Sequence, residues 1–226
     1  MLGTIVNSLA VVAGSIIGLL FGKLFTKKLG DAVMTGLALV VIYIGISGAF
    51  KGGNTLVAII SISIGAIIGT LLDLDGKMLW LGDRVESLVS KSGDGSVAKG
   101  FVSASLLFCV GAMTVVGSLD SGLRGDHSTL FTKAMLDGIS AIFFASSLGI
   151  GVIFSAVFIL VYQGAITLAA QFIEPYINYG NVIGEMTCVG SLLILALGLN
   201  MLKITNIKVM NYLPAIFLPI IVCKFF

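Results

Sequence analysis

The chain alternates long apolar runs with short polar breaks, and most of the runs are 18 to 22 residues long. That is the length a helix needs to cross about 30 Å of hydrocarbon at about 1.5 Å per residue. The pattern predicts helices near 3–22, 31–50, 54–72, 99–119, 133–149, 151–173, 182–202 and 207–225. Lipid offers an unbonded amide no partner, so a spanning segment must be a helix or part of a closed barrel. No stretch shows the alternating pattern of barrel strands. The expected fold class is therefore all-α: a polytopic transmembrane bundle of seven or eight helices, forming a single membrane domain over 1–226.

One run exceeds a single crossing. Residues 134–173 contain no Lys or Arg and one carboxylate, Asp137. A continuous helix of that length would be about 60 Å long, roughly twice the hydrocarbon thickness. The run is expected to turn back as a hairpin or re-entrant pair, with Gly149 and Gly151 as the hinge around Ile150. The distribution of Lys and Arg agrees. With the first connection cytoplasmic, Lys23, Lys27, Lys28, Lys77, Arg84, Lys91, Lys99, Lys203 and Lys208 lie inside. Lys51, Arg124, Lys133 and Lys224 then lie outside, a nine-to-four split. Both termini are expected outside the cytoplasm.

Composition sharpens this picture. Hydrophobic residues make up 58% and charged residues 11%, with a mean hydropathy of +1.13, against about a quarter charged in soluble domains. The partner expected from these numbers is the bilayer. A net charge of +2 is too thin for nucleic acid. The opening Met-Leu-Gly-Thr-Ile lacks a basic region, so the first run is expected to be kept as a packing helix. Cys109, Cys188 and Cys223 sit far apart in apolar runs, as core thiols do, and with one histidine, His127, no metal centre or cofactor is expected. Residues 73–98 are polar, but their apolar positions 78, 81, 85 and 88 have helical spacing. They are expected to form an amphipathic helix on the cytoplasmic face, with Trp80 at headgroup level, followed by a flexible link through 90–96.

Glycine is abundant, 29 in all. Gly14, Gly18 and Gly22 on the first helix, and Ser61, Gly65 and Gly69 on the third, recur every four residues, which stacks small side chains on one face and lets backbones approach. These faces are expected to mate with each other or with a second subunit, favouring a homodimer. A faint echo joins Met34-Thr35, Lys51 and Asn54 to Met186-Thr187, Lys203 and Asn206 at equal spacing, the pattern of an inverted repeat. Pro214 and Pro219 predict a kink in the last helix.

Polar groups at membrane depth are costly and draw attention to a site. Asp137 and Glu185 each lie about one turn into a helix, Asn7 sits at matching depth, and Asp120, Ser140 and Thr187 complete the candidate set. Carboxylate, hydroxyl and amide oxygens suit a hard cation or a small polar solute. The bland alternatives are a pair between Lys133 and Asp137, four residues apart, and acids favoured by helix dipoles. No nucleophile-and-base set or phosphate loop is present, so no enzyme is expected.

The run from Phe108 through Gly117-Ser118-Leu119-Asp120 to Asp126 resembles the YdfK/YqgA-like family of bacterial membrane proteins, domain of unknown function 554. The likeness continues through Lys133 to Ser140, Ala145 to Gly151 and the opening Gly3 to Gly22, and covers nearly the whole chain. It implies a multi-pass bacterial inner-membrane protein and assigns no residue a role. The functional expectation is a transporter or channel for a cation or small polar solute, with a non-transporting scaffold or sensor as the alternative.

Overall fold

The computed structural model describes residues 1–22, 27–89, 96–109, 112–177 and 181–225. Every regular element among them is helical: α1 Leu2–Gly22, α2 Lys27–Ala49, α3 Thr55–Leu71, α4 Leu74–Val89, α5 Ser96–Cys109, α6 Ala112–Leu123, α7 Ser128–Leu148, α8 Gly151–Leu168, α9 Ala170–Ile177 and α10 Val182–Met201. A 3-10 segment, Val209–Ile216, and a short α11, Pro219–Val222, close the chain. Two compact units emerge, one of Met1–Leu37, Met78–Cys109 and Met113–Ala170, the other of Ala38–Lys77, Val110–Ala112 and Gln171–Phe226.

In the first unit, α1 and α7 lie parallel and very close. Gly3 faces Leu130, Gly14 faces Gly138 and Ala141, and Gly18 faces Ile142, so that a methyl group on Gly14 or Gly18 would strike a carbonyl of α7. Against α8, α1 runs the other way: Thr4 Oγ1 lies 3.5 Å from Thr167 Oγ1, and the Ser8 hydroxyl donates to Ala156 O at 3.1 Å. Helices α7 and α8 therefore run in opposite senses. The chain reverses where expected, at Gly149, whose φ of 79° is in the region that glycine tolerates and other residues resist. Gly151 then lets α8 start against the Val97 and Phe101 backbone of α5, and Phe101 meets Phe158 edge-on with ring centroids 6.3 Å apart.

The polarity of this unit is inverted relative to a water-soluble bundle. Leu9 is 62% exposed and Met135, Leu136 and Val157 also face outward, while Thr4, Asn7, Ser15, Ser118 and Gln163 are fully buried. Apolar outside and polar inside is what lipid selects.

In the second unit, residues 38–49 of α2 lie antiparallel to α10, with Gly45 against Leu195, Gly48 against Ser191 and Gly198 against Ile42. Helix α3 lies antiparallel to the C-terminal segment, with Gly65 on Ala215 and Gly69 on Asn211. This corrects one expectation. The stripe of Gly14 and Gly18 packs on α7, and that of Gly65 and Gly69 on the 3-10 segment, so neither mates with the other, and both are filled from within the chain. Ser61 is buried with the second stripe, and the surroundings of Gly22 lie outside the described residues.

Among the described residues three helices are long and apolar enough to span a membrane, Leu2–Phe21, Gly151–Leu168 and Val182–Met201, or up to five spans if each bent pair counts as one. The seven or eight spans read from the sequence are not reached among the described residues, where several of the predicted runs break. The run predicted as 99–119 divides into α5 and α6, whose axes differ by 62°. The last run is a 3-10 segment and one turn of helix rather than a kinked helix, since Pro214 and Pro219 each withhold an amide. Helix α7 starts five residues earlier than predicted, at Ser128, which places Lys133 a full turn inside the helix and not at its first position. Helix α4 carries the amphipathic stretch, with Trp80 exposed and the Arg84 guanidinium 5.2 Å from its ring centre. The proposed link falls at 90–96, of which 90–95 lie outside the described residues.

Candidate functional site

The close approach of α1 and α7 brings Asn7 against Asp137. The Asn7 side-chain amide donates to Asp137 Oδ2 at 3.0 Å, and the Lys133 ammonium donates to the same oxygen at 2.6 Å. Both charged residues are buried, Lys133 6% and Asp137 7% exposed. One turn of helix separates them, so the backbone supplies the pairing geometry. Cys109, at the end of α5, is buried in the same unit. The pair is formally neutral, which allows two charges to persist in an apolar interior, where a lone one would cost several kcal/mol (about 3 or more).

Three buried polar atoms on α1 and α8 lack partners among the described residues: Asn7 Oδ1, beside the pair, and both polar atoms of Gln163. The Ser118 hydroxyl of α6 is in the same state. Thr114 uses its hydroxyl to bond Phe108 O, across the break between α5 and α6.

The other predicted residues fall differently. Asp120 pairs with Arg124 at 3.7 Å, on a partly exposed surface. Ser140 is half-buried on α7. Thr187 donates to Ile183 O at 2.7 Å, spending its hydroxyl within its own helix. Glu185 belongs to the second unit and is 3% exposed. Its Oε1 accepts the backbone N–H groups of Gly53 and Asn54 at 2.6 and 2.8 Å, capping the connection between α2 and α3. Its Oε2, facing Gly52, has no partner among the described residues. The Asn181 side chain adds a bond to Lys51 O at 3.1 Å. Asn7 and Asp137 are thus brought together, and Asp120, Glu185 and Thr187 each have partners of their own.

Between α6 and α7, exposed Asp126 accepts the Ser128 amide at 2.9 Å, and this bond holds its carboxyl below the usual range. No group of three or more His, Cys, Asp or Glu side chains among the described residues is placed to hold a metal.

Two residues were undervalued in the sequence. Lys133 makes the pair with Asp137 that their spacing allows as the alternative to a ligand site, and is more deeply buried than a helix end would be. Gln163 is the one amide side chain in the apolar stretch Gly151–Leu168, and that isolation was legible.

Residues 2–224 match the family described as protein of unknown function (DUF554). The chain is 35% identical to "Uncharacterized membrane protein YdfK" of Bacillus subtilis (strain 168), over 98% of this chain and 95% of that protein. It is 28% identical to "Uncharacterized protein YqgA" of Escherichia coli (strain K12), over 96% of this chain and 94% of that one. No solved structure matches. The chain belongs to the DUF554 family.

Proposed function

We propose that this member of the DUF554 family is a small transporter or channel for a cation or small polar solute. The single observation that carries the reading is the inward-facing trio of Asn7, Lys133 and Asp137, buried where α7 packs on α1, a helix long and apolar enough to span a membrane. A buried pair contributes little to stability beyond what well-packed apolar side chains would give. Its presence at this depth is better explained by a polar species that passes it.

The packing of the second unit supports the reading. Residues 38–49 of α2 and helix α10, and the segments after them, pair antiparallel, the relation of an inverted repeat in which alternating access is built. Within the proposal the protein sits in a bacterial plasma membrane with both termini outside the cytoplasm and α4 on the cytoplasmic face. It acts as a homo-oligomer, with a dimer favoured, and carries no catalytic step. Asp120, Ser140, Glu185 and Thr187 have a lesser part than the trio.

The test is flux in proteoliposomes with Asp137→Asn, which keeps shape and removes the charge. Flux and ion binding should fall well below the parent, and values equal to the parent would remove the role assigned to Asp137. A second reading, a non-transporting scaffold or sensor, is favoured by one feature: Trp80 and Arg84 stack on an exposed face of α4, as a partner contact would.

A further inference from the structure

We infer that the seam between α1 and α8 binds an uncharged, hydrogen-bonding solute, and that Gln163 is the side chain that meets it. The inference rests on the transport reading above and narrows its solute class.

The seam is defined by two contacts, Thr4 with Thr167 and Ser8 with Ala156 O. Asn7 lies between Thr4 and Ser8 on α1. Gln163 lies on α8, seven residues after Ala156 and four before Thr167, which is helical spacing on one face. Helical spacing thus places Gln163 on the face of α8 that meets α1, while Asn7 turns its Nδ2 to Asp137 of α7 and keeps its Oδ1 unpartnered. Gln163 is 0% exposed, and neither its oxygen nor its nitrogen has a partner among the described residues; nor has Asn7 Oδ1. A buried amide can give two hydrogen bonds and accept two, and leaving these unmade is costly in an apolar interior. A polar ligand supplies what the protein withholds.

Charge decides the class. Helices α1 and α8 contain no Asp, Glu, Lys, Arg or His at all. The nearest carboxylate, Asp137, is already neutralised by Lys133 at 2.6 Å. A cation entering the seam would lose its hydration with no net charge to replace it. An uncharged solute with both a donor and an acceptor gives up only hydrogen bonds, and the two amides restore them. Solutes of the size and chemistry of glycerol or urea meet this description.

The experiment uses the full chain in proteoliposomes, with stopped-flow light scattering for water, glycerol and urea and a sodium-sensitive dye for Na⁺. The expected result is glycerol or urea entry faster than in protein-free liposomes. It should be lowered about tenfold by Gln163→Leu, the factor that one ordinary hydrogen bond is worth. Gln163→Asn keeps the amide but shortens its reach, so it should change the ratio of glycerol to urea entry, which a purely structural role would leave alone. Gln163→Glu should depress glycerol entry and admit Na⁺.

Glycerol and urea entry equal to the parent in Gln163→Leu would overturn the inference. Should that variant fail to fold, an unchanged solute ratio in Gln163→Asn would do so. Passage of water alone, or of Na⁺ without glycerol or urea, would also overturn it while leaving transport intact. Absence of any flux in the parent would overturn both readings together.

Discussion

The two units each bury a carboxylate, and they satisfy it by different means. Asp137 is held by side chains, the Lys133 ammonium and the Asn7 amide, both acting on one oxygen. Glu185 is held by backbone, two N–H groups of the connection between α2 and α3. Side chains can swing away and exchange partners, whereas backbone amides at the start of a helix are fixed by the fold. The contrast assigns Glu185 to architecture, as a staple across one end of the second unit, and Asp137 to the working part of the first.

That division can be broken, starting with its largest effect. Asp137→Ala should lower stability in detergent by about 3–5 kcal/mol, because it strands the Lys133 ammonium in an apolar interior. Replacing both partners together, as Lys133→Met with Asp137→Leu, should return thermal stability to within about 1 kcal/mol of the parent. Flux should stay lost in this double variant. A double variant with full flux would make the pair structural, like Glu185.

Glu185→Ala should cost about 2–3 kcal/mol by leaving two amides unpaired, and Glu185→Gln, which keeps an acceptor at Oε1, about 1 kcal/mol, both read from thermal unfolding. If Glu185→Gln keeps its fold but abolishes flux, the staple is also part of the site.

The close helix contacts give a smaller effect in each unit. A methyl group at Gly14 would strike Gly138 O and one at Gly69 would strike Asn211 O. Either alanine substitution should cost about 1–3 kcal/mol by forcing helices apart. Gly14→Ala should also reduce flux, since it displaces the α1 and α7 pairing that positions Asn7, and Gly69→Ala should not.

The smallest effect concerns pH. The Asp126 carboxyl titrates below its ordinary value because the charged form accepts the Ser128 amide. A depressed folded value means that its contribution is complete above the unfolded value of about 4 and is lost as pH falls through the lower folded one. Protection of the Ser128 amide, its exchange rate relative to that of an unstructured peptide at the same pH, should therefore fall only in that acid range, and Asp126→Asn should make this protection independent of pH there.

How much of this was legible depended on what kind of signal each feature leaves. The reversal at Gly149 was readable because a run of forty residues with a single charged side chain is too long to cross lipid once. The glycine spacing announced close approach, but spacing on one helix says nothing about whose backbone arrives, so the partners of Gly14 and Gly69 were misjudged. The pair of Lys133 with Asp137 was legible from their spacing of four, but the helix start was set too late, at 133 instead of Ser128, because the polar residues before Lys133 read as loop. The division of 99–119 left no proline or charge at the break, while Pro214 and Pro219 marked a disturbance without saying that the helix would tighten to 3-10 geometry. Asn7 and Asp137 were named from depth alone. Their hydrogen bond needed the fold.

The account stands on a polar, water-reachable seam inside the first unit. Substituted-cysteine labelling tests it most directly, with Cys109, Cys188 and Cys223 first replaced by serine and single cysteines then placed at Asn7, Gln163, Leu9 and Val157. The first two positions are fully buried, and the last two are both 62% exposed on outward faces. A small membrane-impermeant thiol reagent should modify the cysteines at 7 and 163 and spare those at 9 and 157, which face lipid. Reaction at 9 and 157 with none at 7 and 163 would contradict the account, for it would mean a dry interior in a protein whose outer surface meets water.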